Sequence, residues 1–107
     1  MDDPRGRLTK DGIRIHEPGD FAGMHAAGRL AAGILDEVGA LVQPGVATEA
    51  LDAFIEERVN AAGAKSATIG YRGYQHASCI SVNHVVCHGI PGPKVLKDGD
   101  ILNIDVT

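Results

Sequence analysis

No basic stripe runs along any face that can be drawn for this chain. Ten lysines and arginines stand against fourteen aspartates and glutamates, for a net charge of −4 and a pI of about 5.6. Nucleic-acid binding therefore has no electrostatic support. No apolar run approaches the ~20 residues that span a bilayer, and no signal-peptide core stands behind the charged N-terminus. Cysteine is scarce. Cys79 and Cys87, with no secretion signal, read as free thiols of a reducing cytoplasm. Repeats and low-complexity segments are missing too. The 44% hydrophobic content of the 107 residues argues for one folded domain with a modest core.

Residues 1–12 carry six charges and almost nothing apolar, and read as a mobile tail. Ile13-Arg14-Ile15-His16 reads as a short extended lead-in. Glu17-Pro18-Gly19-Asp20 then opens a helix, with proline in the first turn and acidic residues at the positive end of the dipole. Phe21, Met24, Gly28, Ala31, Leu35, Val38 and Val42 follow at spacings of three and four, an expected apolar stripe that Gln43-Pro44-Gly45 ends. A second helix is expected from Thr48, its hydroxyl as cap and Glu49 in the first turn. Its buried face should hold Leu51, Phe54, Ile55, Val59 and Ala62, with Gly63 as a left-handed cap. After Lys65 the chain reads as strand and turn. Helices first and strands afterwards argue for an α+β fold.

Ala77–Val82 and Val85–His88 are two short runs rich in β-branched residues. Asn83-His84 between them suggests a two-residue hairpin loop, although glycine is favoured where His84 stands. In that register Val82 opposes Val85, Ile80 opposes Cys87, and Cys79 opposes and shares a face with His88. The last strand follows the turn Lys97-Asp98-Gly99-Asp100. Alternation puts Leu102, Ile104 and Val106 on one face, and Ile101, Asn103, Asp105 and Thr107 on the other. The second face is either solvated or the lining of a polar cavity or metal site.

Each of these features also has a bland explanation. A histidine beside glycine is usually a turn residue, and thiols are usually small buried hydrophobes. Cys87-His88 makes a poor zinc pair, because neighbours in a strand point apart and no second cluster exists. Tyr71 and Tyr74 sit in a glycine-rich loop, as surface aromatics or as pocket walls.

Taken together, four stretches resemble a known family. They are Gly70-Tyr71-Arg72-Gly73-Tyr74, Cys79-Ile80-Ser81-Val82-Asn83, Val85-Val86-Cys87-His88-Gly89-Ile90-Pro91 and Leu96-Lys97-Asp98-Gly99-Asp100-Ile101-Leu102-Asn103-Ile104-Asp105-Val106-Thr107. With Ala26–Ala32 and Val42–Val46, they look like the N-terminal half of a bacterial type I methionine aminopeptidase, from about Ile13 to Thr107.

The resemblance implies one half of the "pita-bread" fold, two helices packed on an antiparallel sheet across residues 13–107. It implies removal of the initiator methionine from nascent proteins with two divalent metal ions, whether cobalt, manganese, iron or zinc. Asp105 matches a metal ligand, and a cation would offset the cost of a carboxylate in a strand. His88 matches a substrate contact near the scissile peptide. Cys79, Tyr71 and Tyr74 match the lining of the methionine pocket, whose thioether suits polarisable and aromatic neighbours. The family's general base and remaining metal ligands would follow Thr107, so the chain reads as part of a longer enzyme, inactive alone. The implied partners are nascent N-termini with a small second residue and the ribosome, for an enzyme that is a cytoplasmic monomer. Alternatives are a non-catalytic half-fold binding module, and a proline-directed aminopeptidase or creatinase-like hydrolase.

Overall fold

The computed structural model describes residues 6–107. It divides into two compact units, Met1–Leu30 and Ala31–Thr107. Among the described residues no helix is long and apolar enough to cross a membrane.

In the first unit, β1 (Arg7–Leu8) pairs antiparallel with β2 (Arg14–Ile15). The expected tail is thus a small hairpin from residue 7 onward, and residues 1–5 lie outside the described residues. The turn between the strands explains the pairing. Thr9 N–H donates to the Ile13 carbonyl at 2.8 Å, and the Thr9 hydroxyl accepts from Ile13 N–H at 3.0 Å. Helix α1 (Pro18–Gly39) starts where proline and acidic residues suggest, with the Asp20 carboxylate accepting from Glu17 N–H at 2.8 Å.

The expected α1 stripe is only partly right. Phe21 and Met24 are exposed, at 59% and 71%, while Ile34 and Val38 are buried. The alanines and glycines crowding this helix blur its apolar period, so a stripe drawn through Leu35 lies beside the true one.

In the second unit, helix α2 (Thr48–Ala61) buries Leu51, Ile55 and Val59, and Phe54 partly, as the periodicity predicts; Ala62 is exposed. Gly63 takes the expected left-handed turn, with φ 71°. Thr48 does not cap the helix. Its N–H donates to the Lys94 carbonyl and Glu49 N–H to the Gly92 carbonyl, so crossing backbone satisfies these donors. The Thr48 hydroxyl donates to the Gly92 carbonyl at 3.1 Å and accepts from Gly92 N–H at 2.9 Å. Arg58 of α2 meets Glu37 of α1 at 3.2 Å.

Strand β3 (Ser78–Val82) pairs antiparallel with β4 (Leu102–Val106), and α2 packs on β3. The register sets Ile80 opposite Ile104 and Val82 opposite Leu102 on one face, and Cys79 opposite Asp105 on the other. The alternation read from β4 is therefore present. The sheet itself is smaller than expected, two separate pairs of strands among the described residues.

The expected β3 hairpin partner is corrected. The tight turn forms, with Val85 N–H donating to the Val82 carbonyl at 3.1 Å, but residues 85–88 build no strand. Asn83 draws the chain to β4 instead. Its N–H donates to the Ile101 carbonyl, and its side-chain oxygen accepts from Ile101 N–H.

Candidate functional site

The loop before β3 is fixed by its own polar side chains. The Thr68 hydroxyl donates to the His76 carbonyl at 2.6 Å and shares a 2.9 Å hydrogen bond with Ser66. Gly70, at φ 87°, donates its N–H to the Tyr74 carbonyl at 2.7 Å, a closure that needs a left-handed residue. A 3₁₀ turn, Tyr71–Gly73, fills the loop, with the Arg72 guanidinium 5.2 Å from the centre of the Tyr71 ring.

Residues after the Val82 turn return along the open side of β3. Ile80 N–H donates to the Gly89 carbonyl at 2.8 Å, and Gly89 N–H donates to the Ser81 hydroxyl at 2.9 Å. A side chain at Gly89 would run into the Ile80 carbonyl. His88, just before it, is held at φ 56°, a left-handed conformation costly for any residue with a Cβ.

These pieces surround one cavity of about 680 Å³. Tyr71, Tyr74, Cys79, His88 and Asp105, the five residues singled out from the sequence, all line it. Cys79 and His88 therefore share a cavity without the cross-strand pairing expected of them. The strand neighbour of Cys79 is Asp105. Burial pushes the Tyr74 phenol well above its ordinary value of 10, and hydrogen bonding to Cys79 adds to the shift. The phenol stays protonated and donates to the Ser78 carbonyl at 2.7 Å.

Behind this wall lies a group that sequence reasoning missed. Asp52 on α2 is 5% exposed. It accepts a 2.6 Å hydrogen bond from the Ser78 hydroxyl, and its other oxygen lies 3.3 Å from His76 Nδ1. The signal was present: Thr48, Asp52, Ile55 and Val59 follow helical spacing, which places this carboxylate on the buried stripe.

The donor set does not fit a pair of metal ions. Among the described residues Asp105 is the cavity's only carboxylate, and no group of three or more His, Cys, Asp or Glu side chains is placed to hold an ion. A hard divalent ion needs more oxygen donors than this.

The two helices, the β3–β4 pair and the loops that close one cavity define an α+β scaffold with a walled pocket, and the comparison with known families gives its class. The chain belongs to metallopeptidase family M24, whose family model matches residues 22–107. It is 53% identical over 97 residues to the methionine aminopeptidase of Escherichia coli strain K12, covering 89% of this chain and 37% of that protein. It is 47% identical over 95 residues to that of Rickettsia prowazekii, with the same coverage. The crystal structure of the Rickettsia prowazekii enzyme superposes with a TM-score of 0.86, covering 89% of this chain and 38% of that one. The Thermotoga maritima enzyme gives 0.84 at 39% identity, covering 88% and 38%. The fold is accordingly the expected half of the pita-bread arrangement. The chain spans well under half the length of these relatives.

Proposed function

We propose that this chain is the substrate-pocket half of a methionine aminopeptidase, which removes the first methionine from nascent proteins in the cytoplasm. The observation that carries this reading is the convergence of Tyr71, Tyr74, Cys79, His88 and Asp105 on one cavity. Two tyrosines and a thiol give polarisable walls for a thioether side chain. His88 is the group for the substrate's peptide near the bond to be cut. Asp105 is one donor to a divalent-metal site whose other donors lie outside this chain's described residues. Peptide N-termini with a small second residue are the substrates, and the ribosome is where they are met.

The test is Asp105→Asn in the enzyme that contains this chain. The shape is kept and the charge removed. Calorimetric titration with manganese or cobalt should show metal binding weakened by an order of magnitude or more, with loss of methionine release from a Met-Ala-Ser peptide. Unchanged affinity and rate would make Asp105 a solvated strand residue and overturn the assignment.

A further inference from the structure

A carboxylate on the buried face of a helix is costly unless its oxygens are met. On Asp52 both are: one by the Ser78 hydroxyl at 2.6 Å, the other by His76 Nδ1 at 3.3 Å. Those partners belong to the segment that forms one cavity wall. Tyr74 stands two residues before His76, and its ring meets the imidazole edge-on, with centroids 5.5 Å apart at 67°. The Tyr74 hydroxyl donates to the carbonyl of Ser78, the residue whose side chain Asp52 holds. The Tyr74 ring is thus fixed at its edge by His76, which Asp52 meets, and at its tip by the backbone of Ser78, a residue of β3 whose side chain Asp52 also holds.

We propose that Asp52 and His76 are positioning residues that lock Tyr74 into the wall of the cavity and so set how narrow a side chain the cavity admits. The proposal rests on the methionine-pocket reading for its substrate, but the lock is a property of this chain alone. Neither residue lines the cavity. Releasing them frees Tyr74 from behind. Cys79, which lies beside the Tyr74 hydroxyl, then becomes more accessible from the cavity.

Cys79 therefore serves as a reporter that needs no catalysis. Cys87 is exposed and serves as the internal reference. Iodoacetamide labelling of the full chain, followed by mass spectrometry, gives both rates in one sample. His76→Leu and Asp52→Asn should each raise the Cys79 rate several-fold relative to Cys87. His76→Gln, which keeps a donor for Asp52, should return it most of the way. Ile55→Val, a core change on the same helix, should leave the ratio near wild type although it lowers stability. His76 is one-third exposed, so its variants remove little packing and keep the test open if Asp52→Asn fails to fold. An unchanged ratio in folded His76→Leu, or an equal rise in Ile55→Val, overturns the proposal.

In the enzyme containing this chain, His76→Leu should raise KM for methionyl peptides about tenfold with kcat within twofold, the pattern of lost uniform binding. It should also narrow the preference for methionine over bulkier first residues. A raised labelling ratio in a protein that releases no methionine would uphold the lock and overturn only the aminopeptidase reading.

Discussion

At the scale of single residues, Gly89 does the most for the site. It lies so close to β3 that its N–H reaches the Ser81 hydroxyl and its carbonyl takes the Ile80 N–H. A methyl group there would collide with backbone, which cannot turn aside as a flexible side chain can. Gly89→Ala must push residues 88–90 off the strand and lose the Ile80 hydrogen bond. The expected cost is about 1–3 kcal/mol, the scale of overpacking, read as a lower urea midpoint at constant m-value. A variant as stable as wild type would mean that the segment is free to move, and that the left-handed His88 is not held there by β3. His88 itself shows why such residues are hard to read. Histidine beside glycine in a sequence is a common turn, and only the strand-hugging glycine explains the backbone strain.

At the scale of elements, alternation was legible and pairing was not. The two faces of β4 follow from residue order alone, since side chains alternate along any strand. The partner of β3 depended on where Asn83 spends its amide, and that choice is tertiary. The same holds for Thr48, whose hydroxyl would cap a free helix but here meets a crossing strand of backbone. Asp52 was overlooked for the opposite reason. A carboxylate on a helix usually faces water, and its buried position shows only when its spacing from Ile55 and Val59 is counted.

The β3–β4 junction makes a pH prediction. The Asn83 amide donates to one Asp100 oxygen at 2.9 Å, and Lys97 N–H donates to the other at 2.8 Å. The Asn83 hydrogen bond, then the Lys97 backbone, hold the Asp100 carboxyl below its ordinary value of 3.8. A depressed folded-state pKa gives stability that is fully present above the unfolded value. It is lost as pH falls below 3.8 and through the lower folded value. Asp100→Asn cannot titrate. The Tm advantage of wild type over Asp100→Asn should therefore be constant near neutrality and shrink on acidification through this range. A gap that stays constant into strong acid would show that these hydrogen bonds do not favour the charged form.

For the whole molecule, the five cavity residues were legible because they fall in short motifs that resemble those of a family. Their arrangement was not, since it depends on loop closure by Thr68 and Gly70 and on the docking of Gly89. The same cavity sets what the chain can do alone. Its walls suit an apolar side chain, yet among the described residues Asp105 is its only carboxylate. Hydrolysis by two metals requires a clamp on both ions and an activated water between them. With one carboxylate side chain among the described residues of the cavity, the 107-residue chain should show no tight, stoichiometric site when titrated with manganese or cobalt. It should also release no methionine from Met-Ala-Ser above a metal-only blank. Yet, on the proposed reading, methioninol or a methionyl amide should still perturb the Tyr74 ring resonances, because Tyr74 lines the cavity within this chain. Metal-dependent turnover by this chain would mean that donors other than those described here complete the site, and the half-site reading would fall.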